Sequence, residues 1–303
     1  MKLEKLVTEA RNPDTINIDK QSSLEIVELI NREDAKVAVA IQPILPDIAK
    51  VVDSIVAAIL AGGRLFYLGA GTSGRIGILD ASECPPTYGT DPELVQGLIA
   101  GGAQAILRAV EGAEDSDSLA TEDLQSKQLN SSDIVIGIAA SGRTPYVIGG
   151  LRYAKSMGCQ TVSLSCSSDS QLGRIADHSL TVVTGPEVIM GSTRMKAGTA
   201  QKMVLNMLTT ATMIKLGKVY SNLMVDVQAT NRKLQERAKR IVALATGVSH
   251  SQVEEALNAA GGSAKLAIIM ILAGASAEEA AQLLQAGNGF VAKALTLRGG
   301  KTN

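Results

Sequence analysis

Hydroxyl-bearing glycine loops are the parts of this chain best equipped for chemistry. Gly69-Ala70-Gly71-Thr72-Ser73-Gly74 follows the apolar run RLFYLGA and opens an apolar helical pattern near Arg75. A glycine-permitted turn at the positive end of a helix offers backbone N–H groups, and Thr72 and Ser73 add hydroxyls. That donor set suits a phosphate monoester or an anionic sugar. The spacing also fits the GxGxxG of dinucleotide sites. A dinucleotide, however, calls for an acid at the end of the second strand to hold the ribose hydroxyls. The second apolar run ends LIAGGAQ, and Asp91 and Glu93 lie at its wrong end. NAD is therefore the poorer reading. No GKS or GKT follows, so the loop is not a nucleotide P-loop.

Ala140-Ser141-Gly142-Arg143-Thr144-Pro145 repeats the design after a third apolar run. Thr144 is a natural N-cap, and Pro145 falls at the first helical position, where its missing N–H costs nothing. Capping accounts for Thr144 alone. It does not account for Ser141 and Gly142 at the carboxyl end of a strand, where open α/β sheets bind ligands. A third hydroxyl-rich helix start is Ser192-Thr193-Arg194-Met195-Lys196. Arg194 and Lys196 are placed to meet an anion, with a solvated basic helix start as the plain alternative for Lys196.

General acid and base work falls to carboxylates. The two histidines, His178 and His250, stand away from the glycine loops, and no Cys or His cluster suggests a metal. No serine has the nucleophile-elbow context. Glu83, in DASECPPTYG, is flanked by prolines that point to a rigid irregular loop. Glu114, in AVEGAEDSD, sits in an acidic stretch that solvation alone would explain.

The elements that must position these residues alternate. RLFYLGA, LVQGLIA, DIVIGIAA, QTVSLSC and SLTVV read as buried strands joined by helical crossovers, which requires a parallel sheet covered on both faces. Apolar residues at helical spacing predict helices over Ser23 to Asn31 and Leu45 to Leu60, broken by Pro43 and Pro46. KAGTAQKMVLNMLTTATMIKLG predicts a longer helix, and the chain from about Asn231 is helical throughout. Between Ser249 and Leu295, N-cap serines at 249 and 276 and glycines at 261, 262 and 287 outline a small three-helix bundle. The expected boundary runs between residues 1–235 and 236–303. At 303 residues, 46% hydrophobic and 19% charged, the composition is that of a globular protein. A net charge of -1 and an aromatic content of 2% leave no footprint for nucleic acid or an anionic membrane. No apolar stretch approaches a bilayer span, the opening MKLEKLVTEARNPD is too polar for a signal peptide, and three unpatterned cysteines fit a reducing cytosol.

Across nearly its whole length the chain resembles the N-acetylmuramic acid 6-phosphate etherase family, within the sugar-isomerase (SIS) domain group. The resemblance is carried by TEARNPDTINID, YLGAGTSGRIGILDASECPPTYG, LIAGG, AVEGAEDS, GIAASGRTPYV, GSTRMKAGTAQK and NLMVDVQATN. It implies a doubly wound, five-stranded parallel SIS sheet of flavodoxin-like order with a ubiquitin-associated-like helical end. It also implies a cytoplasmic homodimer of amino-sugar recycling that cleaves the D-lactyl ether of N-acetylmuramic acid 6-phosphate without metal or redox cofactor. In this resemblance Glu83 matches the acid that protonates the departing lactate and Glu114 the second active-site glutamate. Thr72, Ser73, Ser141 and Thr144 match the phosphate loops. A sugar-phosphate isomerase and a non-catalytic sugar-phosphate sensor are the rival expectations.

Overall fold

A computed structural model describes residues 7–227 and 232–299; the end of the NLMVDVQATN block, residues 228–231, lies outside the described residues. Two helices, α1 (Ser23–Ile41) and α2 (Leu45–Leu60), precede the sheet, separated by a short 3-10 turn at Gln42–Ile44. Pro43 sits in that turn, as a residue that cannot donate to a continuing helix must. Alternation follows: β1 (Leu65–Gly69), α3 (Gly71–Tyr88), β2 (Val95–Ile99), α4 (Gln104–Leu107), α5 (Leu119–Ser126), β3 (Ile134–Ile138), α6 (Pro145–Ser156), β4 (Gln160–Ser165), α7 (Gln171–Ile175), β5 (His178–Thr181) and α8 (Lys196–Lys215). All strand pairs of this sheet are parallel and their order is β2-β1-β3-β4-β5. Every residue of β1 and β3 is buried, as expected of central strands covered on both faces.

Contacts divide the chain into two compact units: residues 1–82 with 92–209, and residues 83–91 with 210–303. The expected boundary at 235 lies further along, because the second unit already includes the end of α8 and the short hairpin β6 (Val219–Tyr220) and β7 (Leu223–Met224). In the first unit, Phe66, Leu68, Val135, Tyr146, Val147 and Leu151 form the apolar layer on one face of the sheet. The second unit continues with α9 (Arg232–Thr246), α10 (His250–Ala259), α11 (Ala264–Ala273), α12 (Ala277–Ala286) and α13 (Val291–Leu297). Ser249 and Ser276 make capping boxes as read from the sequence. The segment expected to hold three helices holds four. The addition is α13, which buries Val291, Ala294 and Leu295 on one stripe although it is only seven residues long. No single helix among the described residues is long and apolar enough to cross a membrane.

Candidate active site

Strands β1 and β3 lie side by side with Gly69 opposite Ile138, and the chain leaves them toward opposite edges of the sheet. Such a reversal of strand order leaves a crevice at the carboxyl ends, where two loops part. A cleft of about 430 Å³ opens there. Thr72, Ser73, Glu114, Ser141 and Thr144 line it, together with Thr8, Glu9, Arg143 and Thr193. The structure thus brings together both hydroxyl loops and one of the two glutamates.

The first loop turns at Gly71, whose φ of +52° suits glycine, and α3 starts at once. Ser73, in its first turn, is buried and donates to Gln201 Oε1 at 2.9 Å. Gln201 Nε2 is buried with no hydrogen-bond partner. Turning that amide over makes Nε2 the donor to Ser73 Oγ and releases the serine proton toward the cleft. The second loop turns at Gly142, where φ is +67° and a Cβ would stand 2.3 Å from Ser170 Oγ. Ser141 Oγ accepts the Arg143 N–H at 3.3 Å. Thr144 is the N-cap of α6 with Pro145 at the first helical position, and its hydroxyl makes no cap hydrogen bond. Arg143 lines the cleft, but its Nη2 is held by Asp169 at 2.6 Å.

Glu114 occupies a 3-10 turn, Ala113–Asp115, entered through Gly112, and is exposed. Glu83 and Gly142 are not among the residues lining the cleft. Glu83 is exposed on α3 and belongs to the second unit. The irregular loop expected around it is helix instead: α3 runs through Pro85 and Pro86 to Tyr88. Two prolines remove two helical N–H donors, which the last turn tolerates because little helix remains beyond them. Earlier in α3, Asp80 is buried and accepts from Asn206 at 2.7 Å, Tyr67 at 2.9 Å and Thr209 at 3.1 Å. Burial pushes its carboxyl above the ordinary range despite these bonds.

The third helix start is built differently from the first two. The Lys196 and Ala197 N–H groups at the head of α8 are both taken by the buried carboxylate of Glu187, at 2.9 Å each. The Lys196 ammonium, itself buried, meets Glu33 of α1 at 2.5 Å. Arg194 is exposed, Ser192 is half-buried, and neither they nor Lys196 line the cleft; Thr193 does. Burial alone would raise the Glu33 pKa, but hydrogen bonds from Lys196 and Lys36 outweigh it and hold the carboxyl below its ordinary value.

Thr8 and Glu9 enter the cleft from a 3-10 turn, Val7–Glu9, far from the glycine loops in sequence. Further along this arm, Asn12 Nδ2 donates to Pro186 O and Thr15 Oγ1 to Val188 O at 2.8 Å. Thr8 Oγ1 is buried without a hydrogen-bond partner. The block TEARNPDTINID contains both residues, but nothing in its spacing marks them as cleft-lining.

Residues 116–211 match the SIS domain and residues 47–155 the N-terminal SIS domain of glucokinase regulatory protein, so sheet, loops and cleft are those of a SIS-domain protein. A Bacteroides fragilis structure provisionally assigned as a phosphosugar isomerase involved in capsule formation shares the fold. It aligns at a TM-score of 0.53 with 20% identity over 66% of this chain and 95% of that one. N-acetylmuramic acid 6-phosphate etherase of Clostridium beijerinckii is 59% identical over 295 residues, 97% of each chain. That of Photorhabdus laumondii is 58% identical over 289 residues, 95% of this chain and 96% of the relative. The chain belongs to the N-acetylmuramic acid 6-phosphate etherase family.

Proposed function

We propose that this protein cleaves the D-lactyl ether of N-acetylmuramic acid 6-phosphate, giving N-acetylglucosamine 6-phosphate and D-lactate. The observation that carries this is a cleft walled by Glu114 and four phosphate-suited hydroxyls, in a chain 59% identical to an etherase over nearly its full length. The isomerase and sensor expectations are not favoured, since the full-length relatives carry the etherase name.

An alkyl ether resists direct hydrolysis. This one lies beta to the sugar's aldehyde once the ring opens, and the proton on the intervening carbon is acidic enough for a carboxylate base. Removal of that proton lets lactate depart, and water then adds to the double bond at the carbon the lactate left. Each transfer needs a placed acid or base. In our reading the phosphate is held by Thr72, Ser73, Ser141 and Thr144 with the backbone of the two loops, and Gly142 sets the second of these. Glu114 is the base at carbon two; Glu83 does not line this cleft, and its role as the acid for lactate departure is carried by the family resemblance alone. Of the third helix start, where Ser192, Arg194 and Lys196 were also expected as substrate ligands, only Thr193 lines the cleft and is kept in this reading. The enzyme works as a homodimer in the cytoplasm, in the recovery of cell-wall amino sugars. Support for a dimer comes from α1, which leaves Leu24, Val27 and Val39 exposed.

The roles of the two glutamates separate by partial reaction. In deuterated buffer, Glu83→Gln is expected to stop lactate release yet still exchange the carbon-two proton, read by proton NMR. Glu114→Gln is expected to lose exchange and release together, each loss about 10²–10⁴-fold. Normal lactate release from Glu83→Gln overturns the acid role, and exchange surviving in Glu114→Gln moves the base elsewhere.

A further inference from the structure

A smaller cavity of about 180 Å³ adjoins the hydroxyl-lined cleft, and Ala70, Gly71 and Glu114 line both. Its charged side chains are Arg75, Arg108, Glu111 and Glu114. Arg75 follows Thr72 by three positions on α3, so neighbours on one helix face serve the two cavities. Arg75 Nε donates to Ile106 O at 2.8 Å, which fixes the plane of the guanidinium and leaves its Nη groups for a ligand. Among the described residues neither Arg75 nor Arg108 is held in an ion pair.

We propose that this smaller cavity is a carboxylate subsite in which Arg75, seconded by Arg108, takes the lactyl carboxylate of the substrate. The proposal rests on the etherase reading and deepens it. The substrate carries two unlike anions, a tetrahedral phosphate and a planar carboxylate. Hydroxyls and helix N-termini in the larger cleft match the first. A guanidinium fork matches the second, pairing two N–H groups with two carboxylate oxygens. Glu111 and Glu114 offset the arginine charges, so a bound carboxylate is held by direct guanidinium contacts rather than by a diffuse positive field. Glu114 lines both cavities, between the two anions, where the carbons that join them must lie. The product sugar, which has lost the lactyl group, leaves this subsite empty.

The test uses three probes: N-acetylmuramic acid 6-phosphate, its analogue with the lactyl carboxylate converted to a carboxamide, and N-acetylglucosamine 6-phosphate. Arg75→Met is expected to raise KM for the carboxylate substrate about 10–100-fold, the range set by hydrogen bonds to a charged group. Turnover of the carboxamide, relative to wild type, and calorimetric affinity for N-acetylglucosamine 6-phosphate should both hold within about two-fold. Arg75→Lys should restore part of the loss. Arg108→Met, at an exposed position, should shift KM the same way by a smaller factor. Equal losses on carboxylate and carboxamide, or an equal loss of product-sugar affinity, overturn the subsite. A wild-type protein that releases no D-lactate overturns the etherase reading itself, a result distinct from any arginine effect.

Discussion

Ser141 and Thr144 illustrate how little separates a helix cap from a binding site. A capping threonine spends its side-chain oxygen on the N2 or N3 amide. Thr144 does not, and Ser141 accepts only a 3.3 Å contact from the next residue but one. Replacing either with alanine should weaken N-acetylglucosamine 6-phosphate by tens of fold and the unphosphorylated sugar far less, because a hydrogen bond to a charged group contributes roughly 1.5–3 kcal/mol. Calorimetry with both sugars checks this, and equal weakening removes the two residues from the phosphate site. Ser73 differs, since its proton points at Gln201 in the free protein. Leucine at 201 should free that proton and leave phosphate affinity intact or improved, while glutamate should hold it and weaken binding. Combining each change with Ser73→Ala isolates the pairwise effect from the added charge. These hydroxyls were legible in the sequence because glycines announce the turns that present them. Thr8 and Glu9 were not, since contacts such as Asn12 with Pro186 bring the arm home only after folding.

At the scale of elements, Lys196 shows why a basic residue at a helix start is an uncertain guide. Sequence places it at the head of α8, where an anion is welcome, but folding delivers two carboxylates of the protein itself. Glu187 takes the helix N–H groups and Glu33 of α1 takes the ammonium. Partners separated by 163 positions cannot be paired by spacing. Lys196→Met should cost about 3–5 kcal/mol by leaving Glu33 buried beside fewer cations, and adding Glu33→Leu should recover most of it. Urea denaturation of both variants measures this. The same pair gives a pH dependence of definite sign. Because Glu33 is held below its ordinary value of 4.5, its contribution is complete above that pH and is lost as pH falls through the lower folded value. The urea midpoint should therefore drop on acidification below about pH 4.5, less steeply in Glu33→Gln. The strands, by contrast, were legible almost residue for residue, because a parallel central strand must be apolar on both faces. The helix through Pro85 and Pro86 was not, since local proline rules do not tell a helix's last turn from its end.

For the whole molecule, the exposed leucine and valines of α1 bear on assembly, as symmetric dimers are the commonest oligomers. Sedimentation at working concentration should give twice the 31.5 kDa chain mass, and a fully active monomer would rule the dimer out. A further consequence follows from the cysteines. Cys84, Cys159 and Cys166 are all reduced and buried, and burial pushes the thiols of Cys159 and Cys166 up to about 11 and 12. A thiol reagent reacts with thiolate, so near neutral pH Cys159 and Cys166 are protected twice, by access and by protonation, and Cys84 is protected by access. Any alkylation then times a local opening of the chain rather than a surface event. Cys84 lies in the second unit and the other two in the first, so one labelling experiment with peptide mass readout clocks the breathing of each unit separately, with no cysteine introduced.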